Sequence, residues 1–438
     1  MSEAIQGYRP RQFTITSLEG KTIDITNSVM SIDYFEDILS PSIYVTANCV
    51  NKYSIVSGLP IRGGEEVEIE IETGFGEFKF LGGQDSLRVY KVSGQEGTRM
   101  SENFTLMITT QEHFNNEVSR CMRKQTGKIS ESVKDILTND LQTSKFLAEN
   151  IEETANAYNY VGAMRKPFKV LEWLCPKSMS VRGGEADPDP KDDPAISGLG
   201  DQAKGTMGFF FYENKEGFNF KSIDKLTELI GNSTEESVFR YNYTGKIIKA
   251  AQLDNRFKII DYHFDRNIDV RTSLRFGMFM NFTYLFNIDD NQVTVYNYDI
   301  KEEIGNKKMT KQDGISVSPD LLKYPSRIHV RATDNGIMNP GGTTETTGRS
   351  PADIAKANAR YNLMFTQALN ILIPCNVNLK VGDVLNCEFS EMDSGRSDEP
   401  DKEISGRYLI RELRHHFSAT QNTTSLKLMR DTYEYEGN

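Results

Sequence analysis

A strict alternation of acidic and apolar residues runs from Glu66 to Glu72. Successive side chains of a β-strand point to opposite faces of the sheet, so this period of two predicts a strand with one buried and one wet face. The face expected in a hydrophobic core carries Val67, Ile69 and Ile71. The wet face carries the carboxylates of Glu66, Glu68, Glu70 and Glu72. A charged face of this kind also discourages pairing with stray strand edges.

Further short strands surround this segment between residues 11 and 110. Strand-like runs occur at 13–16, 22–25, 43–46, 87–90 and 104–108. Glycine-containing turns at 63–64, 74–76 and 82–83 separate them. Many short strands divided by glycine turns are typical of an antiparallel sandwich or barrel.

From about residue 111 the apolar period lengthens from two to 3.6 residues. Apolar side chains at positions 129, 133, 136 and 137 lie on one side of an amphipathic helix. Further helices are predicted at 168–174 and 352–363, and two aromatic runs at 208–212 and 218–220 predict a β-hairpin. Three polar segments, 181–204, 335–350 and 391–404, are expected to be mobile loops.

Composition narrows the range of functions. The formal net charge of -11 is unfavourable for gripping phosphates, so no sequence-specific binding of nucleic acid is expected. No stretch approaches the roughly 18 apolar residues of a membrane helix, and the first residues lack the apolar core of a signal peptide, so we expect no membrane insertion and synthesis in a cytoplasm. Five cysteines without a CxxC pair are expected to be reduced thiols.

The end of the chain resembles the end of its first strand-rich block. Residues 64–71 (GEEVEIEI) resemble 382–389 (GDVLNCEF), 86–90 resemble 412–416, and 104–109 resemble 426–431. A count of spacings, 37 residues from Val67 to Phe104 and 42 from Val384 to Leu426, sets Val384 against Val67, and Leu426 and Leu428 are expected in the barrel core. The alternative is chance similarity between unrelated hairpins. If the duplication is real, three chains would present six equivalent units in a pseudo-sixfold ring.

Several segments carry a resemblance to a known family through their order and spacing. They are 31–38 (SIDYFEDI), the hairpin at 208–220, 379–384 (LKVGDV), 406–410 (GRYLI) and 424–428 (TSLKL). In these segments the chain resembles the baseplate hub proteins of T-even-type contractile-tailed phages. The three polar loops look longer than that family needs.

The resemblance implies an α+β, mostly antiparallel β protein with two similar tube-like β-barrel domains. The first barrel is expected at 1–111 and the second at 238–275 and 325–438. A helical domain with the aromatic hairpin and the loop at 181–204 would occupy 112–237, and a domain inserted in the second barrel would occupy 276–324.

The implied function is structural: a homotrimeric hub in the virion's tail baseplate, joining the sixfold tail tube to the threefold central spike. Expected partners are the tail tube or a tube-initiator protein, the spike protein and surrounding baseplate proteins. In this hypothesis Glu66, Glu68, Glu70 and Glu72 line a channel through which DNA passes, because like charge repels the DNA backbone.

No catalytic, cofactor or metal site is expected. The five histidines are scattered, and His415 and His416 are adjacent on a predicted strand, so their side chains should point to opposite faces. With 62 acidic residues a catalytic carboxylate pair is not excluded by spacing, so a tail-associated glycosidase or peptidase is the alternative. A carbohydrate-binding sandwich is a third hypothesis, which would require aromatic platforms on exposed loops.

Overall fold

A computed structural model shows where these segments lie in three dimensions. It describes residues 9–50, 61–83, 86–97, 102–181, 204–226, 238–243, 255–266, 270–288, 291–300, 319–333, 351–364, 367–389, 401 and 404–430. The expected loops at 181–204, 335–350 and 391–404 lie outside the described residues except at their ends.

The described residues of the first part of the chain form eight strands, because their side chains alternate between buried and exposed positions. They are β1 (Arg9–Thr16), β2 (Thr22–Asp24), β3 (Val29–Asp37), β4 (Tyr44–Val50), β5 (Glu66–Thr73), β6 (Gly76–Phe80), β7 (Leu87–Gly97) and β8 (Glu102–Thr110).

The middle part mixes short helices and strands. Its elements are α1 (Gln111–Val118), β9 (Lys124–Gln125), α2 (Ile129–Asp135), β10 (Tyr160–Val161), α3 (Pro167–Leu174), β11 (Met179–Val181), β12 (Lys204–Met207), β13 (Phe209–Asn214) and β14 (Gly217–Ser222). A π-helical turn, Ile136–Asp140, continues α2. The predicted stripe at 129, 133, 136 and 137 is fully buried in a core that also holds four aromatic side chains of β13 and β14: Phe209, Phe211, Phe218 and Phe220.

The last part returns to strands around an insertion. Its elements are β15 (Phe239–Tyr243), β16 (Asp261–Arg266), α4 (Val270–Phe276), β17 (Met280–Asn287), β18 (Gln292–Asp299), β19 (Arg327–Thr333), α5 (Pro351–Met364), β20 (Gln367–Pro374), β21 (Val384–Phe389), β22 (Gly406–Ser418) and β23 (Asn422–Arg430).

One large sheet joins the two ends of the chain. Its strand order is β16-β20-β23-β22-β3-β4-β8-β7-β5-β1-β2, with β6 on β5, and with β21 on β22 and β15 on β21. Most neighbours are antiparallel, and β15 with β21 is a parallel pair. The prediction of an α+β, mostly antiparallel β fold is therefore confirmed.

The same strand order occurs twice in this sheet. The first block runs β3-β4-β8-β7-β5, and the second runs β16-β20-β23-β22-β21, with every neighbouring pair antiparallel. The strands that contain the three pairs of resembling segments thus take equivalent places in the two blocks. These pairs of strands are β5 with β21, β7 with β22, and β8 with β23. The topology supports a duplicated unit over a chance similarity.

A hydrogen-bonded corner before β5 and β21 fixes the frame of the repeat. Gly64 N donates to Val89 O at 2.7 Å, and Gly382 N donates to Ile410 O at 3.1 Å. Gly64 and Gly382 both have a positive φ, 95° and 90°. In each copy, the acidic residue that follows the glycine accepts a hydrogen bond from the backbone N–H three residues before it. Glu65 accepts from Arg62 N, and Asp383 accepts from Lys380 N.

This corner confirms the match of 64–71 with 382–389 and corrects the other two. Since Val89 corresponds to Ile410, the counterpart of 86–90 is 407–411 and not 412–416. Both strands have a register shift at the next residue, Tyr90 and Arg411. Beyond this register shift Met107 corresponds to Lys427. The match of 104–109 with 426–431 is therefore displaced by two residues. A shift by two keeps every side chain on its face, so the apolar pattern could not reveal it.

Three strands form a sheet of their own, separate from the large sheet. Strand β19, which was assigned to the second barrel, pairs in parallel with β17, and β18 pairs with β17 on the other side. Helix α5 packs on this three-stranded sheet through Ala355, Ala359 and Leu363. This sheet therefore continues beyond residue 324. The sequence did not show this, because β19 pairs with a strand more than 40 residues earlier that its own sequence does not specify.

We expect Gly382→Ala to destabilise the protein by at least about 1–3 kcal/mol, because the residue has a positive φ and its Cβ would clash with the Tyr212 hydroxyl. Gly74→Ala is the matched control, since no atom lies within 4 Å of its added Cβ. Thermal unfolding of the two variants tests this. Equal melting temperatures would contradict the assigned role of the corner.

Candidate functional site at the junction of the two blocks

The carboxylates on the outer face of β5 are paired with cations. Arg11 contacts Glu70 and Glu72 at 3.2 Å, Lys79 contacts Glu70 at 3.5 Å, and Arg88 lies 4.0 Å from Glu66. Glu68 instead accepts hydrogen bonds from Gln12 and Thr14. The row of carboxylates therefore lies in a surface of mixed charge, because β1, β6 and β7 bring Arg11, Lys79 and Arg88 beside β5.

The residues expected in the barrel core occupy the two blocks as follows. Five are fully buried in one continuous core: Val67, Ile69, Ile71, Leu426 and Leu428. Val384 is only half-buried on the opposite face of β21. Its expected place is taken by Leu385, because the corner at Gly382 aligns Val67 with Leu385 and not with Val384.

The adjacent histidines point to opposite faces of β22. His415 is buried, and its Nδ1 lies 2.8 Å from Thr424 Oγ1. Burial lowers the pKa of His415 to about 3, so its ring is neutral. His416 is half-buried, with its Nδ1 2.6 Å from Asp33 Oδ1. Among the described residues, no cluster of three or more His, Cys, Asp or Glu side chains could hold a metal ion.

A single buried carboxylate, that of Glu36, connects three parts of the chain. Glu36 lies on β3 and is 2% exposed. One of its oxygens accepts hydrogen bonds from the Tyr34 hydroxyl and from Lys215 N in the turn of the β13–β14 hairpin, both at 2.7 Å. The other oxygen accepts from Val381 N, beside the glycine corner of the second block, at 2.8 Å. The first block, the middle part and the second block thus meet at one side chain.

The hairpin is held by a second buried carboxylate, Glu213. It is 0% exposed and forms an ion pair of 3.1 Å with Lys145, which is itself buried. The other oxygen of Glu213 accepts hydrogen bonds from Ile43 N at 3.2 Å and from the Thr110 hydroxyl at 3.0 Å. These two bonds connect β13 to the first block. Removing one partner of such a pair would leave an uncompensated charge in the interior.

Burial raises the pKa of both carboxyl groups. The pKa of Glu36 rises to about 7 through loss of solvation, although its three donors lower it. Loss of solvation also raises the pKa of Glu213, and Lys145 opposes this shift. A raised carboxyl pKa is a property of some catalytic acids. Both carboxyl groups are buried, and all of their polar contacts named above are with other groups of this chain.

Sequence reasoning did not single out Glu36, Glu213 or Lys145. Two of them did carry a local signal: Glu213 follows four consecutive aromatic residues, and Glu36 follows Tyr34 and Phe35. A charged residue within such an apolar run is often buried and paired. Its partners could not be read from the sequence, because Glu36 and Val381 are separated by 345 residues.

The fold is similar to that of solved tail proteins. The tail protein from Neisseria meningitidis MC58 matches with 11% identity and a TM-score of 0.53, covering 98% of each chain. The tail protein of prophage MuSo2 from Shewanella oneidensis matches with 8% identity and a TM-score of 0.53, covering 96% of this chain and 98% of its own. A component of the type VI secretion system from E. coli matches with 7% identity and a TM-score of 0.43, over 98% of this chain and 79% of its own.

No protein-family model and no curated protein sequence matches the chain. At identities of 8% and 11% the similarity is one of fold. Within the described ranges, no helix combines the length and the hydropathy that a membrane crossing requires.

We expect Glu36→Ala to lower the free energy of unfolding by roughly 3 kcal/mol or more, because three donors in the interior lose their acceptor. Glu72→Ala is the control, since it removes only a half-exposed ion pair with Arg11. Urea denaturation followed by fluorescence measures both variants. If they were equally stable, Glu36 would not join the three parts.

The raised pKa of Glu36 also predicts a pH dependence. The carboxyl group titrates near 4.5 when unfolded and near 7 when folded, so the folded state binds the extra proton between these values. Its contribution to stability is complete below about pH 4.5 and is lost as the pH rises through 7. The wild type should therefore lose more stability than Glu36→Gln between pH 5 and pH 8, at up to about 1.4 kcal/mol per pH unit. Parallel melting curves across this range would contradict the assignment.

Proposed function

We propose that this chain is a structural subunit of the baseplate hub of a contractile phage tail and acts as a homotrimer. The observation that carries the proposal is the repeated strand order, with equivalent glycine corners at Gly64 and Gly382, in one continuous sheet. Three chains would present six equivalent blocks in a closed ring. Such a ring matches a sixfold tail tube on one side and a threefold spike on the other.

The partners in this proposal are the tail tube or a tube-initiator protein, the central spike protein and the surrounding baseplate proteins. The subunit would be part of the virion after assembly in the host cytoplasm. Similarity of fold to two tail proteins, one of them from a prophage, over 96–98% of this chain supports a place in the tail.

The proposed domains follow the blocks of the sheet. The first barrel is assigned to 1–111 and the middle domain to 112–237, and the second barrel surrounds an insertion that β19 and α5 extend toward residue 364. In the ring, the row of Glu66, Glu68, Glu70 and Glu72 faces the lumen. Its mixed charge, with the net charge of -11, would let DNA pass without strong attraction.

The proposed role is mechanical and includes no catalytic step. A ring subunit needs large contacts between copies and a rigid link between its two blocks. The buried carboxylate of Glu36 supports that link, because it accepts three hydrogen bonds. One comes from Tyr34 on the same strand, one from Lys215 in the middle part and one from Val381 in the second block.

Light scattering coupled to size-exclusion chromatography should give a mass three times the 49.6 kDa of one chain. Two-dimensional averages of negatively stained particles should show six similar lobes around a central opening. A stable monomer at micromolar concentration would contradict the proposal. A muramidase assay on the same sample should show no turnover above a blank, and clear turnover would favour the lytic enzyme.

A further inference from the structure

The chain already contains one junction between blocks, formed by β22 and β3. Seven antiparallel pairs join them, from Glu412 opposite Asp37 to Ser418 opposite Ser31. Strand β23 occupies one edge of β22 along most of its length. The other edge is shared: β21 pairs with its beginning, and β3 pairs with the part that follows Arg411.

The repeat identifies the counterparts of both junction strands. Strand β16 is equivalent to β3, since each pairs with the second strand of its block. Strand β7 is equivalent to β22, and the part of β7 after Tyr90 corresponds to the part of β22 after Arg411. By these registers Tyr262 takes the place of Ile32, and Val92 takes the place of Leu413.

In the described part of the chain, these counterparts make no such junction. Strand β16 pairs with β20, and β7 beyond Tyr90 pairs with β8, each along one edge. The exposure of the core-facing side chains reflects this difference. Ile32 and Leu413, at the formed junction, are each 1% exposed, whereas Tyr262 and Val92 are only half-buried.

We propose that β16 of one copy pairs with the part of β7 after Tyr90 in the next copy. This contact repeats between chains the junction that β3 and β22 form within a chain, and it rests on the ring proposed above. Each copy carries one β16 edge and one β7 edge, so the contact is head to tail and closes a ring when the rotation per copy allows it. Antiparallel addition of a strand satisfies backbone donors and acceptors on both edges and buries Tyr262 and Val92.

Crosslinking between two introduced cysteines tests the register. By equivalence with Arg414 opposite Phe35, Ser93 of one copy lies opposite Asp265 of the next. The double variant Ser93→Cys with Asp265→Cys should form covalent dimers and trimers under mild oxidation or with a short bis-maleimide. The five native thiols are buried and should react slowly. The control is Ser93→Cys with Thr22→Cys. Thr22 lies on β2, which is at the opposite end of the strand order from β16.

The mass of the uncrosslinked protein separates this inference from the proposed function. A trimer that crosslinks at least tenfold more than the control supports both. A trimer that crosslinks no more than the control overturns the β16–β7 contact and leaves the hub proposal intact. A monomer overturns both.

A second variant addresses the same contact without cysteines. Tyr262→Asp places a charge in the proposed contact and should raise the concentration at which the trimer dissociates at least tenfold. Tyr324→Asp, at an 81% exposed side chain, should leave that concentration unchanged. Equal effects of the two substitutions on a folded protein would overturn the inference.

Discussion

The pairing of β22 with β3 brings the two ends of the chain into one sheet. Its seven residue pairs join segments about 380 positions apart, and Glu36 lies within it. Closing a chain over such a distance costs conformational entropy, which the contacts of the closed form must exceed. Here they include a continuous apolar core on both sides of the junction and the three hydrogen bonds to Glu36. The orientation of the two blocks depends on this interaction.

The repeated corner shows how a similar backbone is built from different side chains. Three residues keep their type in both corners: a basic residue (Arg62 and Lys380), a glycine (Gly64 and Gly382) and the acidic residue after it (Glu65 and Asp383). The glycine takes a positive φ, and the carboxylate satisfies a backbone N–H that the turn leaves without a strand partner. The strands that follow differ on their outer faces, with charges on β5 and largely uncharged side chains on β21. The corner therefore preserves the fold while the outer faces are free to serve different contacts.

Prediction succeeded where the signal was local. The alternation in β5, the helical stripe in α2, the aromatic hairpin and α5 all appear at their expected places. It failed where the answer depended on distant partners. Val384 was matched with Val67, one position too early, because the match came from counting residues. The hydrogen bonds of the corner, which align Val67 with Leu385, cannot be seen in the sequence. The match for β22 was displaced by five residues and that for β23 by two, because the corner hydrogen bonds and the bulges at Tyr90 and Arg411 that set the frame cannot be read from the sequence. The acidic row of β5 was recognised, but its cations come from β1, β6 and β7.

The amino-acid sequence by itself determined the class of the elements, the buried face of each strand and the presence of a repeated segment, because side-chain periodicity and glycine turns act over a few residues. Tertiary structure alone decided the register of the repeat, the extent of the insertion and the burial of Glu36 among donors from three parts of the chain. Those features depend on which distant backbones meet, and a period of two leaves every even shift of register equally acceptable to the pattern.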